Sequence, residues 1–211
     1  RFVVLDNNGT MYDDVYVAYG SVCEIFDSFA LPSPSLVQYR REITADFMQF
    51  YWNHGISRTV PGDELNKIRK RYYEEHRGEA RYRRDFRSFI RIIKGEDIQR
   101  GVCSAEVHEV LVTTLIGENL HHYFPPSLIV GSAWPKKAPF LLKLAERVKI
   151  DHSECAYVGD TVDDIEAARE AGFQAVAFAH ETGYNNEDRL KKADPDYLVR
   201  SFAELQQRLI W

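Results

Sequence analysis

Phe2-Val3-Val4-Leu5-Asp6-Asn7-Asn8-Gly9-Thr10 decides the fold of this 211-residue chain. Its apolar run reads as a buried strand, and the strand delivers the carboxylate of Asp6 straight into a glycine turn. A buried strand is rigid, so its last side chain is aimed. Gly9 lets the backbone turn tightly and approach a ligand closely. Asp6 is therefore expected at the carboxyl end of a sheet strand, where open α/β folds place their ligands.

Outward from this stretch the texture changes twice. Helical periodicity dominates first, over 15–31, 35–51, 63–76 and 83–93, with Pro32, Pro34, Pro61-Gly62 and Gly95 as punctuation. From Gly101 onward short apolar strands alternate with helices: strands at 102–103, 128–130, 156–158, 175–178 and 197–199, helices at 106–115, 138–148, 162–171 and 203–210. This alternation predicts an α/β fold, a Rossmann-like parallel sheet with helices on both faces. Residues 1–14 and 100–211 are expected to form that core, and 15–99 an all-helical insert. The hinges are expected near 12–15 and 95–101.

Composition is that of an ordinary globular protein, 45% hydrophobic and 28% charged. A net charge of −5 gives no reason to expect nucleic acid or an anionic membrane surface as partner. No apolar run approaches the ~20 residues of a membrane span. Cys23, Cys103 and Cys155 form no C-x-x-C pair and are expected to be buried free thiols in a reducing, cytoplasmic compartment. The chain opens on a core strand without Met, so no leader is expected in it, and it is expected to begin inside its gene product. Charge divides unevenly. Between Arg40 and Arg100 stand 12 Arg and 3 Lys against 10 acids, a net +5 that leaves −10 for the rest. A basic insert beside an acidic sheet suits an anionic substrate held against a metal, although most of these arginines are expected to pair with neighbouring acids on solvated helix faces.

A second strand, Tyr157-Val158-Gly159, ends in Asp160, with Asp163 and Asp164 on the next turn. Asp160 is expected at the same sheet edge as Asp6. Carboxylates converging there repel one another unless a cation neutralises them, and Mg²⁺, a hard ion that prefers oxygen, is the expected occupant. An Asp or Thr after a strand also caps a following helix. Ser104 at the end of 102–103 offers a hydroxyl to a phosphoryl oxygen, or simply caps the next helix. Lys136-Lys137-Ala138-Pro139 offers a cation to offset charge on substrate and nucleophile. The seven histidines show no metal-ligand spacing.

Asp-x-x-Gly-Thr, Ser at a strand end, Lys-x-x-Pro and Gly-Asp-x-x-x-Asp, in this order, resemble the haloacid dehalogenase superfamily, and the insert resembles that family's C1 cap in its phosphoglycolate phosphatase and β-phosphoglucomutase-like branch. The resemblance spans essentially the whole chain. It implies Asp6 as the nucleophile that forms an aspartyl-phosphate, with Gly9 and Thr10 in the substrate turn and Ser104 as the phosphate-binding hydroxyl. It implies Lys136 as the motif lysine, with Lys137 as the alternative register. Mg²⁺ would be held by Asp6, the Asn8 carbonyl, Asp160 and Asp164. Gly55-Ile56-Ser57-Arg58 resembles a cap specificity loop, which makes Arg58, with His54, the candidate contact to the remote part of a small phosphorylated metabolite.

Asn8 breaks the pattern. The family's second Asp protonates the leaving group and activates water, and an amide does neither. General acid–base help is worth about 10²–10⁴ in rate, so a phosphatase of this sequence is expected to be slow on poor leaving groups. The alternatives are an impaired, ligand-binding relative, or a phosphonatase-like one, which would need a Schiff-base lysine such as Lys67, Lys70 or Lys94. A dehalogenase needs no Mg²⁺ and is disfavoured by Gly159-Asp160. A P-type pump needs a membrane domain.

Overall fold

The computed structural model describes residues 1–44, 46–96 and 98–209. Its six-stranded sheet is built from β1 (Phe2–Leu5), β4 (Gln99–Cys103), β5 (Ile129–Val130), β6 (Cys155–Gly159), β7 (Gln174–Phe178) and β8 (Tyr197–Val199). The order is β5-β4-β1-β6-β7-β8, and every pair is parallel. The chain winds to one side of β1, then crosses over and winds to the other. The carboxyl end of β1 is thus the switch point of the sheet, where the diverging connections leave a crevice.

Alternation along the strands fills both faces. Val3, Leu5, Val102, Val158 and Phe178 point to one face, covered by α5 (Arg84–Gly95), α6 (His108–Gly117) and α10 (Phe202–Leu209). Phe2, Val4, Cys103, Tyr157 and Ala177 point to the other, covered by α7 (Ala138–Val148), α8 (Val162–Glu170) and Leu190 of α9 (Glu187–Lys192). A parallel sheet buried on both faces holds its strand ends rigidly. The chain leaves β1 through β2 (Tyr12–Asp13), which pairs antiparallel with β3 (Arg81–Tyr82). Between them α1 (Val15–Ser28), α2 (Leu36–Glu42), α3 (Phe47–Asn53) and α4 (Gly62–His76) share an apolar cluster of their own, centred on Phe26, Tyr39, Phe50, Tyr51 and Leu65.

Three departures from the sequence expectation have local causes. The helix expected over 35–51 is two helices. Ile43 after α2 is extended (ψ 136°), and its carbonyl accepts hydrogen bonds from Arg189 Nη1 at 2.7 Å and Asn185 Nδ2 at 3.3 Å, partners far along the chain. The β-branched pair Ile43-Thr44 resists this turn little, since such residues lose side-chain freedom in helices. The helix of 83–93, counted with the insert, packs instead on the sheet. Its stripe Phe86, Phe89, Ile90 and Ile93 lies in the cluster of β1 and β4, and β3 just before it adds strand to a segment expected to be all helix. Short, polar α9 has no apolar stripe to reveal it. Ile210, the last residue of the expected terminal helix, lies outside the described residues. Among the described residues, no helix is long and apolar enough to cross a membrane.

Phe202 closes the α5–α10 contact. It is fully buried, with ring centroids 4.7 Å from Phe178, 5.1 Å from Phe86 and 5.2 Å from Phe89. Phe202→Ala removes the shared ring of that cluster and is expected to cost about 3–5 kcal/mol of unfolding free energy, read as a lowered denaturant midpoint. An unchanged midpoint would show that this layer contributes little.

Candidate active site

Register brings the first two acids together. Leu5 pairs with Val158 across β1 and β6, so Asp6 and Gly159 stand side by side at the strand ends with Asp160 just beyond. The Asp6 N–H donates to Val158 O at 2.9 Å. Gly9 turns the chain with φ +73°, and a Cβ there would collide with the Asp160 carboxylate and the Tyr184 ring. Thr10 Oγ1 donates to Asp160 Oδ1 at 2.9 Å, and the Tyr184 N–H donates to Oδ2 at 2.5 Å.

Asp164 fulfils both readings of its motif in one side chain. It closes a capping box on α8, where Oδ2 accepts from the Thr161 N–H at 3.0 Å and Oγ1 at 2.7 Å. Its Oδ1 accepts from Lys137 Nζ at 2.6 Å and Tyr157 Oη at 3.1 Å. Gly159 makes room for it, because a Cβ there would occupy the Asp164 carboxylate's place.

The structure corrects the lysine register. Lys137, the residue directly before α7, is largely covered, with 13% of its side chain exposed, and lies 3.1 Å from Asp6 Oδ1 as well as 2.6 Å from Asp164. Lys136 is exposed and reaches only Glu170, at 3.9 Å. The position before the helix faces the strand ends, whereas the position before that faces solvent. Ser104 is buried at the end of β4, the neighbour of β1, and its hydroxyl accepts from the Glu106 N–H at 3.2 Å, leaving its own proton to donate.

One carboxylate oxygen each from Asp6, Asp160 and Asp164 lies within 4.8 Å of the others, and all three residues are buried. Burial, above all, pushes Asp6 up to about 7 and Asp160 up to about 8; Asp164 adds to both, and Lys137 works against the rise at Asp6. For Lys137 burial opposes the charge, but Asp164 and Asp6 overcome it and hold its pKa above the ordinary lysine value. Asp6 Oδ1 has no aligned hydrogen-bond donor; its approach to Lys137 is a charge contact. Crowded carboxylates, one with an unsatisfied oxygen, fit a hard divalent cation ligated by oxygen.

Several residues here carry little sequence signal. Asp14, buried just before α1, accepts from Asn8 Nδ2 at 2.7 Å, the Gly9 N–H at 3.0 Å, Tyr184 Oη at 3.0 Å and Tyr73 Oη at 3.3 Å. Burial pushes its carboxyl up to about 6 against these bonds. The Asn8 amide also accepts from Asn7 Nδ2 at 3.1 Å, so both its ends are engaged within the protein. Arg83, between β3 and α5, donates to Gly9 O and Thr10 O, each at 2.8 Å, and pairs with Asp13 at 3.0 Å. It thereby clamps the backbone of the turn. The doublet Asp13-Asp14 beside the glycine turn was the one available hint. Of the two residues the resemblance offers as substrate contacts, His54 pairs with Glu42 at 2.8 Å, and Arg58 lies over the Trp52 ring at 5.1 Å.

The raised carboxyls have a pH consequence. Asp6, Asp160 and Asp14 favour their protonated forms in the folded state. The stability they contribute is complete below the ordinary carboxyl range and is lost as pH rises through about 6 to 8. In chelator, the melting temperature should therefore fall between about pH 5.5 and pH 8.5, and MgCl₂ should restore more of it at the higher pH. A flat chelator profile would contradict the buried acid cluster.

The haloacid dehalogenase-like hydrolase family matches residues 3–178. The probable phosphatase IndB of Dickeya dadantii is 31% identical over 120 residues, 55% of this chain and 50% of that protein, so the chain spans half of that relative's length. A phosphoglycolate phosphatase of Thiobacillus denitrificans is 25% identical over 97% of this chain and 93% of its own. In fold, a haloacid dehalogenase-like protein of Agrobacterium tumefaciens superposes with a TM-score of 0.80 at 18% identity, over 99% of this chain and 96% of its own. With the acid-ended strands and the switch-point sheet, the match shows that this chain belongs to the haloacid dehalogenase-like hydrolases.

Proposed function

We propose that this chain is a Mg²⁺-dependent hydrolase of small phosphate monoesters that works through an aspartyl-phosphate on Asp6. The observation that carries the reading is the buried set Asp6, Asp160 and Asp164, with Lys137 against it, at the switch point of the sheet. Asp6, Asp160 and Asp164, with the Asn8 carbonyl, would hold the cation, which when bound offsets charge on the phosphoryl oxygens. Asp6 attacks phosphorus in line from a fixed strand end, so positioning and electrostatics do most of the work. Lys137 works against the burial that raises the Asp6 carboxyl, and so favours its ionised, attacking form. The Ser104 hydroxyl donates to a phosphoryl oxygen, and Arg83 holds the turn in shape. Helices α1–α4 form the cap that shields the site from water. A phosphonatase reading finds no support, since Lys67 and Lys70 are exposed on α4 and Lys94 lies over the Tyr123 ring.

Asn8 makes the enzyme slow on poor leaving groups, because its amide neither gives nor takes the proton that turnover requires. Phosphate release from p-nitrophenyl phosphate, whose leaving group needs little acid help, is expected to require Mg²⁺ and to vanish in Asp6→Asn. Release that persists in Asp6→Asn would sink the proposal.

The pairing at Asn8 adds a sharper expectation. Asn8→Asp alone sets a carboxylate against Asp14 across a 2.7 Å contact. The double variant Asn8→Asp/Asp14→Asn restores the acid without that repulsion. It should gain up to about 10²–10⁴ in kcat on alkyl phosphates, well beyond the single variant. Equal gains, or none, in steady-state assays would show that the missing carboxylate is not what limits turnover.

A further inference from the structure

Asn185 stands where three parts of the molecule meet. It is 1% exposed and lies on the connection between β7 and α9, directly after Tyr184. Its N–H donates to Asp160 O at 3.2 Å. Its side-chain Oδ1 accepts at 2.9 Å from the N–H of Val162, the first residue of α8. An N–H at the start of a helix has no partner within it, and Asp164 follows two positions on. Its Nδ2 donates to Ile43 O, just past α2, at 3.3 Å. A buried amide is costly when either end is left unpaired. This one uses both ends, one on the helix that carries Asp164 and one on the helical segment.

Helix α2 is held to the same connection on either side of Asn185. Arg40 donates to Gly183 O at 2.7 Å and to His180 O at 3.2 Å, and Arg189 Nη1 donates to Ile43 O at 2.7 Å. The Tyr184 N–H holds Asp160 Oδ2. Residues 183–189 thus form a strip with α2 on one side and with Asp160 and α8 on the other. The Asn185 side chain bonds to both sides.

We propose that Asn185 is a positioning residue for the metal acids, and that through it the affinity of the site for a divalent cation depends on α2 being docked. The inference rests on the Mg²⁺ site of the phosphatase reading. A shift of α2 moves Ile43 O, and the amide follows. Its other end moves Val162 and the start of α8, which sets Asp164, while its N–H moves the peptide of Asp160. Networks of hydrogen bonds and packed side chains carry such coupling. The coupling is reciprocal, so a cation that gathers the acids also favours the docked α2.

Melting temperature against MgCl₂ concentration reads the affinity without turnover. Loss of a group that orients a metal-ligating side chain costs about 10–100-fold in metal affinity, and Asn185→Ala should weaken Mg²⁺ by that order. Arg189→Ala leaves Asn185 and the acids in place and loosens α2. It should weaken Mg²⁺ about fivefold in the parent, and by nothing further when combined with Asn185→Ala. A merely structural role would lower the melting temperature in chelator and leave the Mg²⁺ dependence as it is. Parent-like Mg²⁺ affinity in both single variants, or effects that add in the double variant, overturn the inference and leave the phosphatase reading intact. Should Asn185→Ala fail to fold, Arg189→Ala decides alone, and an unchanged Mg²⁺ affinity there overturns the inference. A parent whose melting ignores Mg²⁺ overturns the metal site of that reading and the inference together.

Discussion

Like charges buried together are the constraint from which the site follows. Two carboxylates about 4 Å apart repel by about 4 kcal/mol even at an effective dielectric of 20, and three are gathered here within 4.8 Å with Lys137 among them. Left to themselves the side chains would swing apart into water. They are prevented by a sheet packed on both faces, by two glycines whose missing Cβ atoms leave space for carboxylates, and by donors already in place: Thr10 and Tyr184 on Asp160, Thr161 and Tyr157 on Asp164. Burial first, and this repulsion after it, raise the carboxyl pKa values and leave a readiness to accept a cation.

Around the turn, charge has been redistributed. Where the family pattern places an acid, the chain carries a neutral amide, and six residues later it carries Asp14, joined to that amide and to the Gly9 N–H. Charge is thus kept near Asp6 but directed at the turn and at two tyrosines. Asp13, its neighbour, is neutralised by Arg83, whose remaining donors bind the carbonyls of Gly9 and Thr10. Asp13 and Asp14 together stiffen the turn from the helix side.

The parallel sheet, the helix-rich segment after β1 and the Asp6–Asp160–Asp164 set were legible because each rests on a local rule: apolar runs of strand length, helical periodicity, an acid at a strand end. What escaped depends on contacts distant in sequence. The break at Ile43 is made by Asn185 and Arg189. The attachment of α5 to the sheet is made by α10, since the stripe of α5 shows that a face is buried but not against what. Lys136 and Lys137 are equivalent as letters, and only the start of α7 separates them.

Tyr184 has a role larger than any one of its contacts. Its N–H holds Asp160, its ring lies against Gly9 and joins the apolar cluster of α1–α4, and its hydroxyl meets Tyr73 and Asp14. The orientation of Asp160 and the position of helices α1–α4 are therefore one mechanical coordinate. Lifting the helices would strip the ring of its packing and loosen the amide that aims the acid. A displacement of α4 would therefore be felt at Asp160 and at the turn after Asp6 through this one ring.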